Sequence, residues 1–118
     1  FWMEKAHEAL ESARAEQQAG RLSFSLNRAY YAAFYSASAV LLRQGLQFVK
    51  HEGVRKALHQ HLVLPGHLDA SWGQFYDDLF RTRHAADYQA FASFDRAQVA
   101  AAVSRAASFV VEMEKLLK

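Results

Sequence analysis

The chain has 118 residues, 52% of them hydrophobic and 14% aromatic, which excludes intrinsic disorder and suits one domain, residues 1–118, with its own core. Cysteine is absent, so disulfides, thiolate metal sites and cysteine nucleophiles are excluded. The net charge is +2 and the pI about 9.1, a slight basic balance that by itself is weak support for a polyanionic partner.

Helix breakers are scarce: Pro65 is the single proline and there are five glycines. The first predicted helix runs from about Trp2 to Gln18, with Trp2, Ala6, Ala9, Leu10 and Ala13 at helical spacing and Gly20 as the stop. The second begins near Ser23 or Ser25, either of which can serve as an N-cap, and ends at Gly45. One side reads Leu26, Tyr30, Ala33, Phe34, Ala37, Val40 and Leu41; the other carries Tyr31, Ala32, Tyr35, Ala39 and Leu42. A helix apolar nearly all round belongs in the middle of a bundle or at a subunit interface.

The third predicted stretch, about Glu52 to Leu62, carries Val54, Ala57, Leu58 and His61, and Leu64-Pro65-Gly66 then breaks the chain. The fourth runs from Asp69 or Ser71 to about Ala86, with Trp72, Phe75, Tyr76, Leu79 and Phe80 on one face. Tyr88 to Phe94 reads as a connector. Asp95 and Gln98 have capping-box spacing and open the last helix, which carries Val99, Val103, Ala106, Phe109, Val110 and Met113. Short connections favour antiparallel neighbours, so the expected fold is all-α, a compact antiparallel bundle of about five helices. No apolar run reaches the roughly 18 residues that span a bilayer, and no secretory signal is visible. These absences, with the lack of cysteine, favour a cytoplasmic location, while Phe1 in place of Met leaves open whether a segment precedes the chain.

Six histidines invite a search for catalysis or metal. His59 and His61, two apart, are poorly spaced as ligands on a helix, and no acidic trio lies nearby, so no metal and no cofactor is expected. Asp77 and Asp78 face two directions, which argues against paired-carboxylate chemistry. No Ser-His-Asp order and no glycine-rich phosphate loop is present. His51 fits a cap or an orienting role at the third helix. Arg83 and Asp87, four apart, form either a surface ion pair or part of a site. Arg28 either binds phosphate or lays its stem on the apolar helix. Tyr30, Tyr31, Phe34 and Tyr35 read as core and interface rather than as base-stacking platforms.

Four segments, in order and at fitting distances, resemble the HEPN domain family in its compact prokaryotic branch. They are Leu26-Asn27-Arg28-Ala29-Tyr30-Tyr31-Ala32-Ala33-Phe34-Tyr35, Lys50-His51-Glu52-Gly53-Val54, the Arg83-His84-Ala85-Ala86-Asp87-Tyr88 pattern, and Ala106 with Phe109 in the terminal helix. The resemblance covers nearly the whole chain. It implies a helical bundle, usually a homodimer, here through the second and fourth helices. It also implies a toxin–antitoxin or defence role, often as a metal-independent endoribonuclease paired with a nucleotidyltransferase-fold antitoxin. The alternative is a non-catalytic interaction module for such a partner. Nuclease members carry Arg and His separated by four to six residues, and this chain departs from that spacing: counting from Arg81 or Arg83 meets no histidine there.

The candidate catalytic residues implied are therefore Arg83, His84, Asp87 and Tyr88, with Asn27, Arg28 and His51 as candidate substrate-binding residues. Arginine suits a phosphate because its planar fork stays charged, and histidine suits proton transfer near neutral pH. Arg83 and His84, adjacent on a helix, project about 100° apart, so pairing Arg83 of one copy with His84 or His51 of another is one way to aim both at one phosphate. Tyr88, a phenol beside Asp87, is either an anchoring aromatic or a nucleotidylation target.

Overall fold

Glycines at the left-handed end of a helix stop the first two helices in the same way. Helix α1 (Trp2–Gln18) and helix α2 (Leu22–Arg43) are followed by Gly20 at φ 78° and Gly45 at φ 83°. After each, the chain turns back: Arg21 N–H bonds the Glu16 carbonyl and Leu46 N–H the Leu41 carbonyl, both at 2.9 Å, the six-to-one bond of a Schellman stop. The computed structural model describes residues 1–48, 50–88 and 93–118. Helix α3 (His51–Leu58) runs directly into a π-helical turn (His59–Val63); α4 (Ala70–Tyr88) and α5 (Arg96–Leu116) follow. Among the described residues there is no strand, and the all-α bundle expected from the periodicity is what forms.

Helix α2 is the centre of the bundle. Its 22 residues, roughly 33 Å at 1.5 Å per residue, span most of the 37 Å long axis. It packs most extensively on α1, then on α5 and α4, and reaches α3 as well. That accounts for apolar residues on nearly every side. Ala6, Ala9 and Ala13 of α1 and Ala29, Ala32, Ala33 and Ala37 of α2 are buried, and such small side chains let helix backbones approach closely. The larger core side chains are Leu26, Tyr30, Leu41, Leu58, Leu62, Tyr76, Phe109 and Met113.

Three local expectations are corrected. Helix α2 starts at Leu22, so Ser25 is not its cap; it is buried, and its hydroxyl donates to the Ala13 carbonyl at 2.8 Å, tying α2 to α1. The third stretch is not one uniform α-helix. Its last turn widens to π geometry where Gly73 of α4 presses against it: a Cβ on Gly73 would lie 2.8 Å from His59 Cε1 and 3.0 Å from Val63 Cγ2. Tyr88 ends α4 instead of opening a connector, and of that connector residues 89–92 lie outside the described residues. The Asp95 cap forms as expected, with its carboxylate accepting from Gln98 N–H at 2.7 Å.

Candidate functional site

The site is built where α2, α4 and the first turn of α3 meet. On α2, Asn27, Tyr30 and Tyr31 share a face, being three and four residues apart. On α4, Tyr76, Phe80, Arg83 and Asp87 recur at four-, three- and four-residue steps, so they too lie along one stripe. Packing α4 on α2 therefore brings the two stripes together.

Asn27 and Asp87 bridge the seam: the Asn27 amide nitrogen donates to both carboxylate oxygens of Asp87, at 3.1 and 3.2 Å. The Asn27 carbonyl oxygen in turn accepts from Arg28 Nε at 3.0 Å and from a terminal guanidinium nitrogen at 2.7 Å. With Asp87 on one side and a cation on the other, Asn27 has a single orientation that satisfies both neighbours. Arg83 pairs with Asp87 at 3.2 Å, and its side chain is only 11% exposed. Its guanidinium lies 4.9 Å from the centre of the Tyr30 ring and 6.0 Å from that of Tyr31. Arg28 lies 4.8 Å over Tyr31. Burial of Arg83 is thus compensated by one carboxylate and by aromatic faces. Its Nε is buried with no hydrogen-bond partner among the described residues.

His51 completes the patch. Its ring stacks on Phe34 at 4.5 Å, and Nδ1 lies 2.7 Å from the Tyr30 hydroxyl. Among the described residues nothing hydrogen-bonds its Nε2. Burial lowers the His51 pKa, and the charge of Arg83 lowers it further, both favouring the neutral imidazole. Burial pushes the Tyr30 phenol up to about 12, and it pushes the fully buried Tyr76 phenol, beside Tyr30, well above its usual range. Both phenols therefore stay protonated and keep a donor to offer. The Tyr76 hydroxyl meets no hydrogen-bond partner among the described residues.

Five of the seven residues singled out from sequence converge here: Asn27, Arg28, His51, Arg83 and Asp87. His84 and Tyr88 do not join the network. Their rings meet at 4.9 Å with a 44° tilt on the outer side of α4, and Tyr88 is 69% exposed. His51 is the first residue of α3 but does not cap it; its ring turns inward to Tyr30. Sequence reading placed Tyr30 and Tyr76 among the apolar residues, and their polar tips were missed. The available signal was spacing: Tyr76 lies two turns before Arg83 and Tyr30 three residues after Asn27.

A second polar cluster lies between α3 and α4. Asp77 accepts from Arg55 at 3.3 Å and lies 3.0 Å from His59 Nε2, and Arg55 also pairs with Glu52 at 2.6 Å. Arg55 holds the Glu52 carboxyl below its usual range. Asp78 points elsewhere, to Arg81 and Gln74. Among the described residues no group of three or more His, Asp or Glu side chains could hold a metal ion. No helix there is long and apolar enough to cross a membrane.

Comparison with known proteins agrees with this architecture. A UPF0332 protein of Thermotoga maritima is 36% identical over 118 residues, all of this chain and 89% of that protein. Two Methanocaldococcus jannaschii proteins named Putative toxin are each 30% identical. One match covers 98% of this chain and 86% of that protein, the other 75% and 60%. The model of the HEPN domain matches residues 1–116. On its four ordered motifs, its helical bundle and this match, the chain belongs to the HEPN domain family.

Proposed function

We propose that the protein is a toxin-type HEPN protein that acts on RNA as a metal-independent endoribonuclease, with a site centred on Arg83 and His51. One observation carries this reading: Arg83 and His51, 32 positions apart, both pack on the ring of Tyr30, at 4.9 and 5.6 Å. A cation suited to phosphate and an imidazole thus both lie within about 6 Å of one buried ring in a single copy of the chain. In this reading His51 of α3 stands in for the histidine that the Arg-to-His spacing of nuclease members would place near Arg83. The relatives named Putative toxin support the toxin part of the reading.

The chemistry needs no metal. With Nδ1–H donating to the Tyr30 hydroxyl oxygen, Nε2 of His51 presents a lone pair to take the proton of a ribose 2′-hydroxyl. The 2′-oxygen attacks phosphorus, the bond to the 5′-oxygen breaks, and that oxygen takes up a proton from solvent water as it leaves. Arg83 and Arg28 hold the charged phosphate oxygens, while Asn27 and Asp87 fix the two guanidinium groups. A homodimer through α2 and α4 would place two such patches on one cleft, and the exposed Leu42 and Tyr88 on those helices favour it. His84 belongs to this proposal only as a contributor from the second copy.

The test is cleavage of transfer and messenger RNA in EDTA by the wild type, Arg83→Ala and His51→Ala. Cleavage in EDTA that falls about 100-fold or more in both variants supports the reading. RNA left intact by the wild type overturns it. The second reading, a non-catalytic module for a nucleotidyltransferase-fold partner, is favoured by the exposed phenol of Tyr88 beside Asp87. Stable co-purification with such a partner, without RNA cleavage, would select it.

A further inference from the structure

The seam between α1 and α2 leads away from the Arg83–His51 patch, and its surface is built of alternating cations and aromatic rings. Tyr31 belongs to both regions. It lies 5.5 Å from His51 and beneath Arg28 on the site side, and 5.6 Å from Tyr35 on the other. Tyr35 continues to Trp2, stacked at 5.8 Å with a 25° interplanar angle. Lys5 lies 5.4 Å over the Tyr35 ring and at the same distance over Phe1.

Among the described residues neither Lys5 nor Arg28 has a carboxylate partner. Both cations rest on tyrosine faces instead. Arg21, Arg55, Arg81, Arg83 and Lys115 each pair with Asp or Glu, while Arg105 rests likewise on the rings of Trp72 and Phe75. Lys5, Arg28 and Tyr35 line one surface depression together with Glu8 and Ser12. A second depression, with Asn27, Phe24 and the Arg21–Glu16 pair, shares Ser12 and Arg28 with the first. The two form one groove along the α1–α2 seam.

We infer that this groove binds the single-stranded RNA segment next to the phosphate held at Arg83, with a base on Tyr35 and phosphates on Lys5 and Arg28. The inference rests on the RNA reading above. A cation lying on a ring covers a face on which a base could stack. When a phosphate draws the cation outward, the face is released, so charge neutralisation and stacking occur together. Glu8, a carboxylate of the groove not paired to an arginine among the described residues, can accept from a ribose 2′-hydroxyl, a group DNA lacks.

The experiment compares a dinucleoside monophosphate, ApA, with single-stranded hexanucleotide RNA and DNA carrying one 2-aminopurine, at low temperature in EDTA. Anisotropy of labelled oligonucleotides and competition by ApA give affinities, and quenching of 2-aminopurine reports stacking. The wild type is expected to bind the RNA hexamer at least tenfold more tightly than ApA and to quench its fluorescence. Tyr35→Ala should weaken the hexamer by about 5- to 100-fold and remove the quenching, leaving ApA unchanged. Lys5→Ala should weaken the hexamer and flatten its salt dependence. Tyr35→Phe keeps the ring and should behave as wild type, which guards against a folding effect. Binding of ApA with no gain for the hexamer overturns the groove and leaves the RNA reading standing. Retention of neither ligand overturns both. Loss of a dimer in Tyr35→Ala with unchanged RNA affinity would make the face a contact between copies and overturn the groove.

Discussion

Asn27 and Asp87 lie 60 positions apart in the chain and meet side chain to side chain, amide to carboxylate, at 3.1 Å across the seam of α2 and α4. Through them two arginines are connected: Arg28 donates to the Asn27 oxygen and Arg83 pairs with the Asp87 carboxylate. Asn27→Ala removes the link without emptying the core. The expected stability loss is about 0.5–1.5 kcal/mol, since the bond is partly in contact with solvent. RNA binding is expected to fall further than stability does, because both guanidinium groups lose a fixed position. A double-mutant cycle with Asp87→Ala, read by denaturant midpoint and by RNA affinity, measures the coupling. Additive effects on affinity would mean that the network does not act as a unit.

His51 should titrate below the ordinary histidine value of about 6.5, because burial and the Arg83 charge disfavour the imidazolium. A folded-state pKa below the unfolded one means that the unfolded chain binds the extra proton first. The resulting stability is present above the unfolded pKa and is lost as pH falls through that value toward the folded pKa. An NMR titration of the His51 ring protons checks the midpoint. Arg83→Gln should move it upward, by removing the second of the two causes. No movement would show that the two groups do not sense one another.

Gly73 offers a test of the π turn. In most helix interiors Gly→Ala stabilises by about 1 kcal/mol. Here the added Cβ would meet His59 Cε1 at 2.8 Å and Val63 Cγ2 at 3.0 Å, while His59 is anchored to Asp77. Crowding is expected to win, with Gly73→Ala destabilising by about 1–3 kcal/mol. His59→Ala should recover much of that loss in the double variant. Equal melting temperatures for wild type and Gly73→Ala would show that α4 can move away at no cost.

Phe109 is fully buried, with Trp72, Phe75 and Tyr76 within about 6 Å by ring centres. Phe109→Ala should cost about 3–5 kcal/mol. Phe24→Ala, at a side chain 63% exposed, should change stability by no more than about 0.5 kcal/mol. Calorimetry separates the two, and similar losses would argue against the bundle packing described.

The helices were legible because each carries its own evidence. Apolar residues recur with a 3.6-residue period, Gly20 and Gly45 mark stops, and Asp95 with Gln98 marks a start. The doubly apolar α2 was legible as a central element for the same local reason. The π turn was not: Gly73, which presses against it, comes from another helix, ten residues beyond the turn's end at Val63. Ser25 was read as a cap because its chemistry suits one, yet its actual acceptor is a carbonyl of α1. Five residues of the polar patch could be named from motifs, but not their grouping. Arg83 with Asp87 is a local relation at four residues, whereas Tyr30 with His51 depends on how α3 returns to α2. His84 and Tyr88 were grouped with Arg83 by the family pattern Arg83-His84-Ala85-Ala86-Asp87-Tyr88, and the divergence of Arg83 and His84 about the helix that the sequence already implied is what the structure has.

The order in which the polypeptide emerges gives the α1–α2 hairpin a consequence of its own. That hairpin lies within the first 43 residues and is joined by a short turn, so its contacts are local and can form early. The polar patch needs residues from Asn27 to Asp87, and its arginine clamp closes only when α4 docks. A nascent chain short of Asp87 can hold a folded hairpin but lacks the paired guanidinium groups. The patch therefore comes together late in biosynthesis, after the scaffold that carries it.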